Sequence, residues 1–171
     1  MFERNITFIG MPGSGKSTVG VVVAKMLCMT FIDTDLVIQG QAGKRLSKII
    51  EEIGNEGFTK LENNTLASLN VHNSVISTGG SAIFCKEAME HLKKESTVVY
   101  LKVSYETLAS RLKSLEKRGV VFEKGQTLKD IYEIRTPLYE KYADITIESD
   151  NDCDVQDTAM KIAEHFNKYG A

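Results

Sequence analysis

Nine residues, GMPGSGKST from Gly10 to Thr18, stand between two short apolar runs, ITFI before them and VGVVVAKML after. Gly10 to Ser17 satisfies G-x-x-x-x-G-K-[ST], a loop that joins a strand to a helix and lets backbone N–H groups converge on phosphate oxygens. Gly13 and Gly15, on either side of Ser14, supply backbone angles closed to other residues. A helix starting near Lys16 offers free N–H groups and a positive dipole end to the same phosphates. Lys16 adds a mobile full charge for the β- and γ-phosphates, the Ser17 hydroxyl is a hard oxygen ligand suited to Mg²⁺, and Thr18 falls near the α-phosphate. A glycine-rich turn without a ligand needs neither the lysine nor the hydroxyl after it. The loop predicts a bound nucleoside triphosphate with Mg²⁺, and a strand–loop–helix unit as the start of the fold.

The rest of the chain repeats that alternation. Ile6 to Ile9, Thr30 to Asp33, Ser74 to Thr78, Thr97 to Val103 and Asp144 to Glu148 are β-branched runs without polar alternation, as in strands buried on both faces. Between and after them, helical patterns cover Thr18 to Met29, Leu46 to Ile53, Gly57 to Leu69, Lys86 to Lys94, Tyr105 to Leu115, Leu128 to Tyr142 and Val155 to Tyr169. Strand–helix alternation implies crossovers and a mainly parallel sheet covered on both sides, an α/β fold. With 171 residues, no internal repeat and no Pro/Ser-rich linker, the chain reads as one domain.

Composition removes several function classes. The net charge of −2 gives no reason to expect nucleic acid or an anionic membrane as partner. No apolar run approaches a membrane span, and MFERNITFIG, with Glu3 inside it, does not fit a signal peptide. Cys28, Cys85 and Cys153 are scattered, which suits a reducing compartment, and His72, His91 and His165 have no metal spacing. A cytoplasmic protein acting on a small-molecule substrate is expected.

Four further stretches carry candidate chemistry. In FIDTD, Asp33 and Asp35 lie two apart at the end of a strand, where alternation sends both into the crevice used by ligands in parallel sheets. One can hold Mg²⁺ and the other orient a substrate hydroxyl, or Asp35 caps a helix from Leu36 to Gln39. STGGSA, Ser77 to Ala82, either leaves room for a ligand at Gly79 and Gly80 or is a plain turn. The basic stretch Leu108 to Gly125, with Arg111 and Arg118, is either a lid over phosphates or a solvated helix end. Arg135, just before Thr136-Pro137, either turns inward toward an anion or stays on the surface.

The ordered set GMPGSGKST, FIDTD, STGGS and RTPLYEKYAD resembles the shikimate kinases over nearly the whole chain. The resemblance implies a three-layer P-loop kinase fold of the nucleoside-monophosphate-kinase type, with a five-stranded parallel sheet. It also implies substrate-binding helices after strand two (about 34–70), a mobile lid (about 114–126), and a monomer that uses ATP and Mg²⁺ to phosphorylate the 3-hydroxyl of shikimate. Carried over by residue, Gly13, Ser14, Gly15, Lys16, Ser17 and Thr18 bind the nucleotide, Ser17 and Asp33 serve the metal, and Arg111 flanks the adenine. Arg118 is the lid arginine, Lys16 and Asp35 are catalytic, and Asp35, Gly79, Gly80 and Arg135 bind the substrate. Three features depart from the family pattern. Thr59 replaces an arginine that shares the substrate carboxylate, Ser81 replaces a third glycine, and the lid reads RGVV. These changes lie on the acceptor side and in the lid. The expected function is phosphoryl transfer to shikimate; the alternatives are another polyol or hydroxy acid as acceptor, or a non-catalytic ATP-binding protein.

Overall fold

The computed structural model describes residues 4–113, 125–150 and 154–169. β1 (Asn5–Ile9) runs through the glycine loop into α1 (Lys16–Leu27), followed by β2 (Thr30–Asp33), α2 (Thr34–Ala42) and α3 (Leu46–Ala67). Then come β3 (Ser74–Ser77), a 3₁₀ turn at Ala82–Phe84, α4 (Lys86–Glu95), β4 (Ser96–Lys102), α5 (Tyr105–Lys113), α6 (Leu128–Tyr142), β5 (Ile145–Glu148) and α7 (Val155–Tyr169). The strands form one parallel sheet in the order β2-β3-β1-β4-β5.

Period-two alternation explains why the central runs carry almost no polar residues: both faces of the sheet are covered. Ile6, Phe8, Val75, Val99 and Leu101 pack against Val19 and Val23 of α1 and Ile162 of α7. Their neighbours Ile9, Ile76, Val98 and Tyr100 pack on the other side against Met89 and Leu92 of α4 and Ile131 and Tyr139 of α6. A smaller cluster of Ile38, Ile49 and Phe58 joins α2 to α3. β1 lies between β3 and β4: after β1 the chain builds β2 and β3 on one side of it, then crosses to build β4 and β5 on the other. The crevice at such a switch point, beyond the carboxyl ends of the strands, is where open α/β sheets bind ligands.

Two details differ from the sequence pattern. The helices expected at 46–53 and 57–69 join as α3, which bends at Gly54, a non-helical residue with φ 70° and ψ 174°. The helix after β2 begins at Thr34 rather than Leu36, and its cap is Asp33 rather than Asp35: the Asp33 carboxylate accepts the Asp35 N–H at 3.0 Å. Arg118 and the lid segment 114–126, apart from Gly125 and Gln126, lie outside the described residues. No helix among the described residues is long and apolar enough to cross a membrane.

Candidate active site

The glycine loop leaves β1 at the switch point. Gly15 sits at φ 94° and ψ 12° as the residue before α1, in the left-handed region that favours glycine, and no side chain caps the helix. The first N–H groups of α1 are therefore left for an anion. Lys16 is buried, and its Nζ donates to the carbonyls of Gly10 and Met11, both at 2.9 Å. Burial pushes its pKa down to about 8, while Asp35 and Asp33 pull it back up. A phosphate would replace those carbonyls with full negative charge and hold the lysine protonated. Arg111, from α5, lies against the other side of the loop, with Nη1 at 3.3 Å from the Ser14 carbonyl and 3.5 Å from that of Gly13. Thr18 is exposed in the first turn of α1.

Register places Asp33 opposite Ser77 across β2 and β3. The Ser17 hydroxyl fills the gap, donating to Asp33 Oδ2 at 2.7 Å and lying 3.2 Å from Ser77 Oγ. A hydroxyl and a carboxylate this close, at the mouth of a phosphate loop, make a hard-oxygen donor set that fits Mg²⁺. Asp35 reaches the same place from the first turn of α2. The two carboxylates thus converge through a helix cap, and strand alternation has no part in it. Asp35 Oδ1 is buried without a partner. Burial, then the Asp33 charge, raises the Asp35 pKa, with Lys16 opposing.

Gly79 and Gly80 follow β3 and lie between Glu62 and Asp35 on one side and Pro12 and Arg135 on the other. A Cβ at Gly79 would stand 2.5 Å from Glu62 Oε1 and 3.1 Å from Asp35 Oδ1, so a side chain there would displace both carboxyls. A Cβ at Gly80 would meet Pro12 at 2.7 Å and Arg135 Nη1 at 3.2 Å. Tyr139 donates its hydroxyl to the Gly80 carbonyl at 2.7 Å, with its ring stacked on Tyr100 at 5.1 Å between centroids. Arg135 turns inward. It is 7% exposed, lies 5.5 Å above the Phe84 ring, and forms no ion pair with any described carboxylate. Together with Asn55, Thr59, Ser81, Phe84 and Ile134 it lines a pocket of about 110 Å³.

Several of these residues have no role assigned from the sequence, although Glu62 stands in place in the family pattern. Glu62 is fully buried, and burial pushes its pKa up to about 7 against the pull of the Ser81 hydrogen bond and the Arg135 and Lys16 charges. A signal for it existed: Phe58, Glu62, Thr65 and Leu66 fall at helical spacing on one buried face of α3, where a carboxyl needs a reason. Tyr139 and Phe84 had no such signal, since aromatic residues at helical spacing read as core.

The site thus has a glycine loop and a hard-oxygen pair on one side, a buried guanidinium without an ion pair on the other, and Asp35 beside Gly79. The family model for shikimate kinase matches residues 12–169. The chain belongs to the shikimate kinase family. It is 39% identical over 152 residues to a shikimate kinase of Pasteurella multocida, covering 86% of this chain and 87% of that protein. With a shikimate kinase of Mannheimia succiniciproducens it shares 36% identity over 168 residues, covering 96% of this chain and 93% of the other. Its fold matches that of a shikimate kinase from Acinetobacter baumannii in complex with shikimate, with a TM-score of 0.87, 33% identity, and coverage of 98% and 94%. The five-stranded parallel sheet between helical layers is the P-loop kinase architecture that the resemblance implied. Against the family pattern, Thr59 lines the pocket but spends its hydroxyl on the Asn55 carbonyl at 3.0 Å, and Ser81 donates to Glu62 Oε2 at 2.7 Å.

Proposed function

We propose that this protein transfers the γ-phosphoryl group of ATP to the 3-hydroxyl of shikimate, giving shikimate 3-phosphate. The observation that carries this reading is Arg135: a buried guanidinium without an ion pair, in a pocket beside Asp35, calls for an anionic acceptor that brings a hydroxyl to the carboxylate. Arg135 holds the acceptor carboxylate, and the Gly79 and Gly80 N–H groups contact the acceptor. Asp35 orients the attacking hydroxyl and takes its proton; a raised pKa makes its carboxylate a stronger base than an exposed aspartate.

On the donor side, Gly13, Ser14, Gly15 and Thr18 cradle the phosphates, Lys16 leaves its two carbonyls for them, and Arg111 flanks the adenine. Ser17 and Asp33 would hold Mg²⁺, which neutralises phosphate charge when bound. In this reading the chain works in the cytoplasm as one monomeric kinase domain. Residues 34–70 bind the acceptor, and the lid at 114–126, with Arg118, closes over the nucleotide.

The test is acceptor-dependent release of ADP from ATP-Mg²⁺ with saturating shikimate against a no-acceptor blank. Asp35→Asn should lower kcat by about 10²–10⁴-fold, the usual worth of a positioned proton acceptor. Release no faster than the blank would remove shikimate as acceptor. Thr59, which leaves the pocket with one cation where the family pattern has two, favours a second reading: another hydroxy acid on the same machinery. A screen of hydroxy acids and polyols would identify it.

A further inference from the structure

Two buried side chains of opposite charge, Arg135 on the pocket wall and Glu62 behind Ser81, flank adjacent glycines without forming an ion pair. Glu62 Oε1 crowds Gly79 and Arg135 Nη1 crowds the next residue, Gly80, yet no ion pair joins them and Glu62 Oε1 has no hydrogen-bond partner. A guanidinium and a carboxyl in one buried setting attract, and Arg135 has the Tyr139 hydroxyl rather than a carboxylate as its hydrogen-bond partner. Something must hold them apart. On α3 the nearest hydroxyl, Thr59, is committed to the Asn55 carbonyl. Ser81 is the only donor to Glu62 among the described residues, at 2.7 Å to Oε2. Although Ser81 opens the 3₁₀ turn, its hydroxyl caps no N–H there and is wholly given to Glu62. Tyr139, the other polar group against Arg135 on α6, directs its hydroxyl to the Gly80 carbonyl.

We propose that Ser81 is a positioning residue that ties Glu62 back from Arg135 and so leaves the guanidinium open to the carboxylate of the acceptor. This rests on reading the pocket as the acceptor site. Without the tether, Glu62 turns to Arg135 and closes an internal ion pair that the acceptor must then displace. The free protein gains a contact and the acceptor loses one. A residue that merely supports the turn would do the opposite to stability and would not depend on Glu62.

The experiment compares wild type, Ser81→Ala, Glu62→Gln and the double variant in two measurements. These are the shikimate KM and kcat from ADP release, and the unfolding temperature of the ligand-free protein at pH 7.5. Ser81→Ala should raise KM at least about fivefold, within the range for contacting neighbours, with kcat within about twofold, and should raise the unfolding temperature. In the Glu62→Gln background the same change should move neither, because a neutral amide does not compete for the guanidinium. An unchanged KM in Ser81→Ala, or an equal rise in both backgrounds, overturns the proposal. Should the wild type release no acceptor-dependent ADP, the acceptor reading fails and the thermal arm still decides. A gain in unfolding temperature that Glu62→Gln abolishes supports the tether, and an equal loss in both backgrounds overturns it.

Discussion

Replacing Arg135 by methionine separates binding from folding at this site. Methionine is long, flexible and apolar, and suits a pocket wall built from Phe84, Ile131 and Ile134. In the free protein the change removes a cation that is 7% exposed and lacks an ion pair. What is lost is the contact with the Phe84 ring, worth roughly 1–2 kcal/mol, and the hydrogen bond to the Tyr139 hydroxyl, worth about 1.5 kcal/mol. What is relieved is the desolvation of an unpaired buried charge, several kcal/mol. The unfolding temperature should therefore hold or rise. In the complex, the acceptor carboxylate loses its fixed cation. Truncating one partner of a buried charge pair costs about 2–5 kcal/mol, so kcat/KM for shikimate should fall roughly 30- to several-thousand-fold. The assay is ADP release with shikimate varied at saturating ATP, repeated with an uncharged acceptor such as the methyl ester of shikimate. The ester should be phosphorylated about equally by both proteins, because it has no charge for Arg135 to meet. Equal losses on acid and ester would refute the assignment of Arg135 to the carboxylate, and an unfolding temperature several degrees lower would refute the view that it lacks an ion pair in the free protein.

Three further outcomes follow from neighbouring residues. Thr59→Arg places a second cation on the pocket wall and should lower the shikimate KM severalfold, within the ~1.5–3 kcal/mol of a charge-assisted bond; an unchanged KM would show that position 59 is not the deficit. Tyr139→Phe orphans the Gly80 carbonyl, which should cost about 1–3 kcal/mol of stability and raise the acceptor KM while leaving that for ATP unmoved; equal shifts in both constants would rule out a role confined to acceptor binding. Glu62 has its pKa at about 7 in the folded chain against an ordinary 4.5, so between those values the folded state keeps a proton that the unfolded state has lost. Stability of the ligand-free protein should fall as pH rises from 4.5 to 7, by roughly 3 kcal/mol from this group, with Asp35 acting in the same direction. Urea unfolding of Glu62→Gln should show a much flatter decline, and the same slope as wild type would disprove it.

The sequence by itself determined the architecture and the glycine loop between β1 and α1, because both are local. Strands buried on both faces read as near-continuous apolar runs rich in β-branched residues, so Ile6 to Ile9 and Thr97 to Val103 declare themselves without reference to partners. A phosphate loop packs its glycines, its lysine and its hydroxyl into nine consecutive residues. Tertiary structure decided the rest of the site. Whether Arg135 faced water or the pocket depended on how α6 packs against Tyr100 and Phe84, residues 35 and 51 positions away in the chain. The meeting of Asp33 and Asp35 came from a helix cap one residue long, which strand alternation does not describe. That Ser81 ties Glu62 beside a guanidinium without an ion pair required α3, the turn before α4, and α6 to close on one another. Hydrogen bonds and charges act over a few ångströms of space, and periodicity along the chain reports only the face on which a residue lies. It does not report the side chain it meets there.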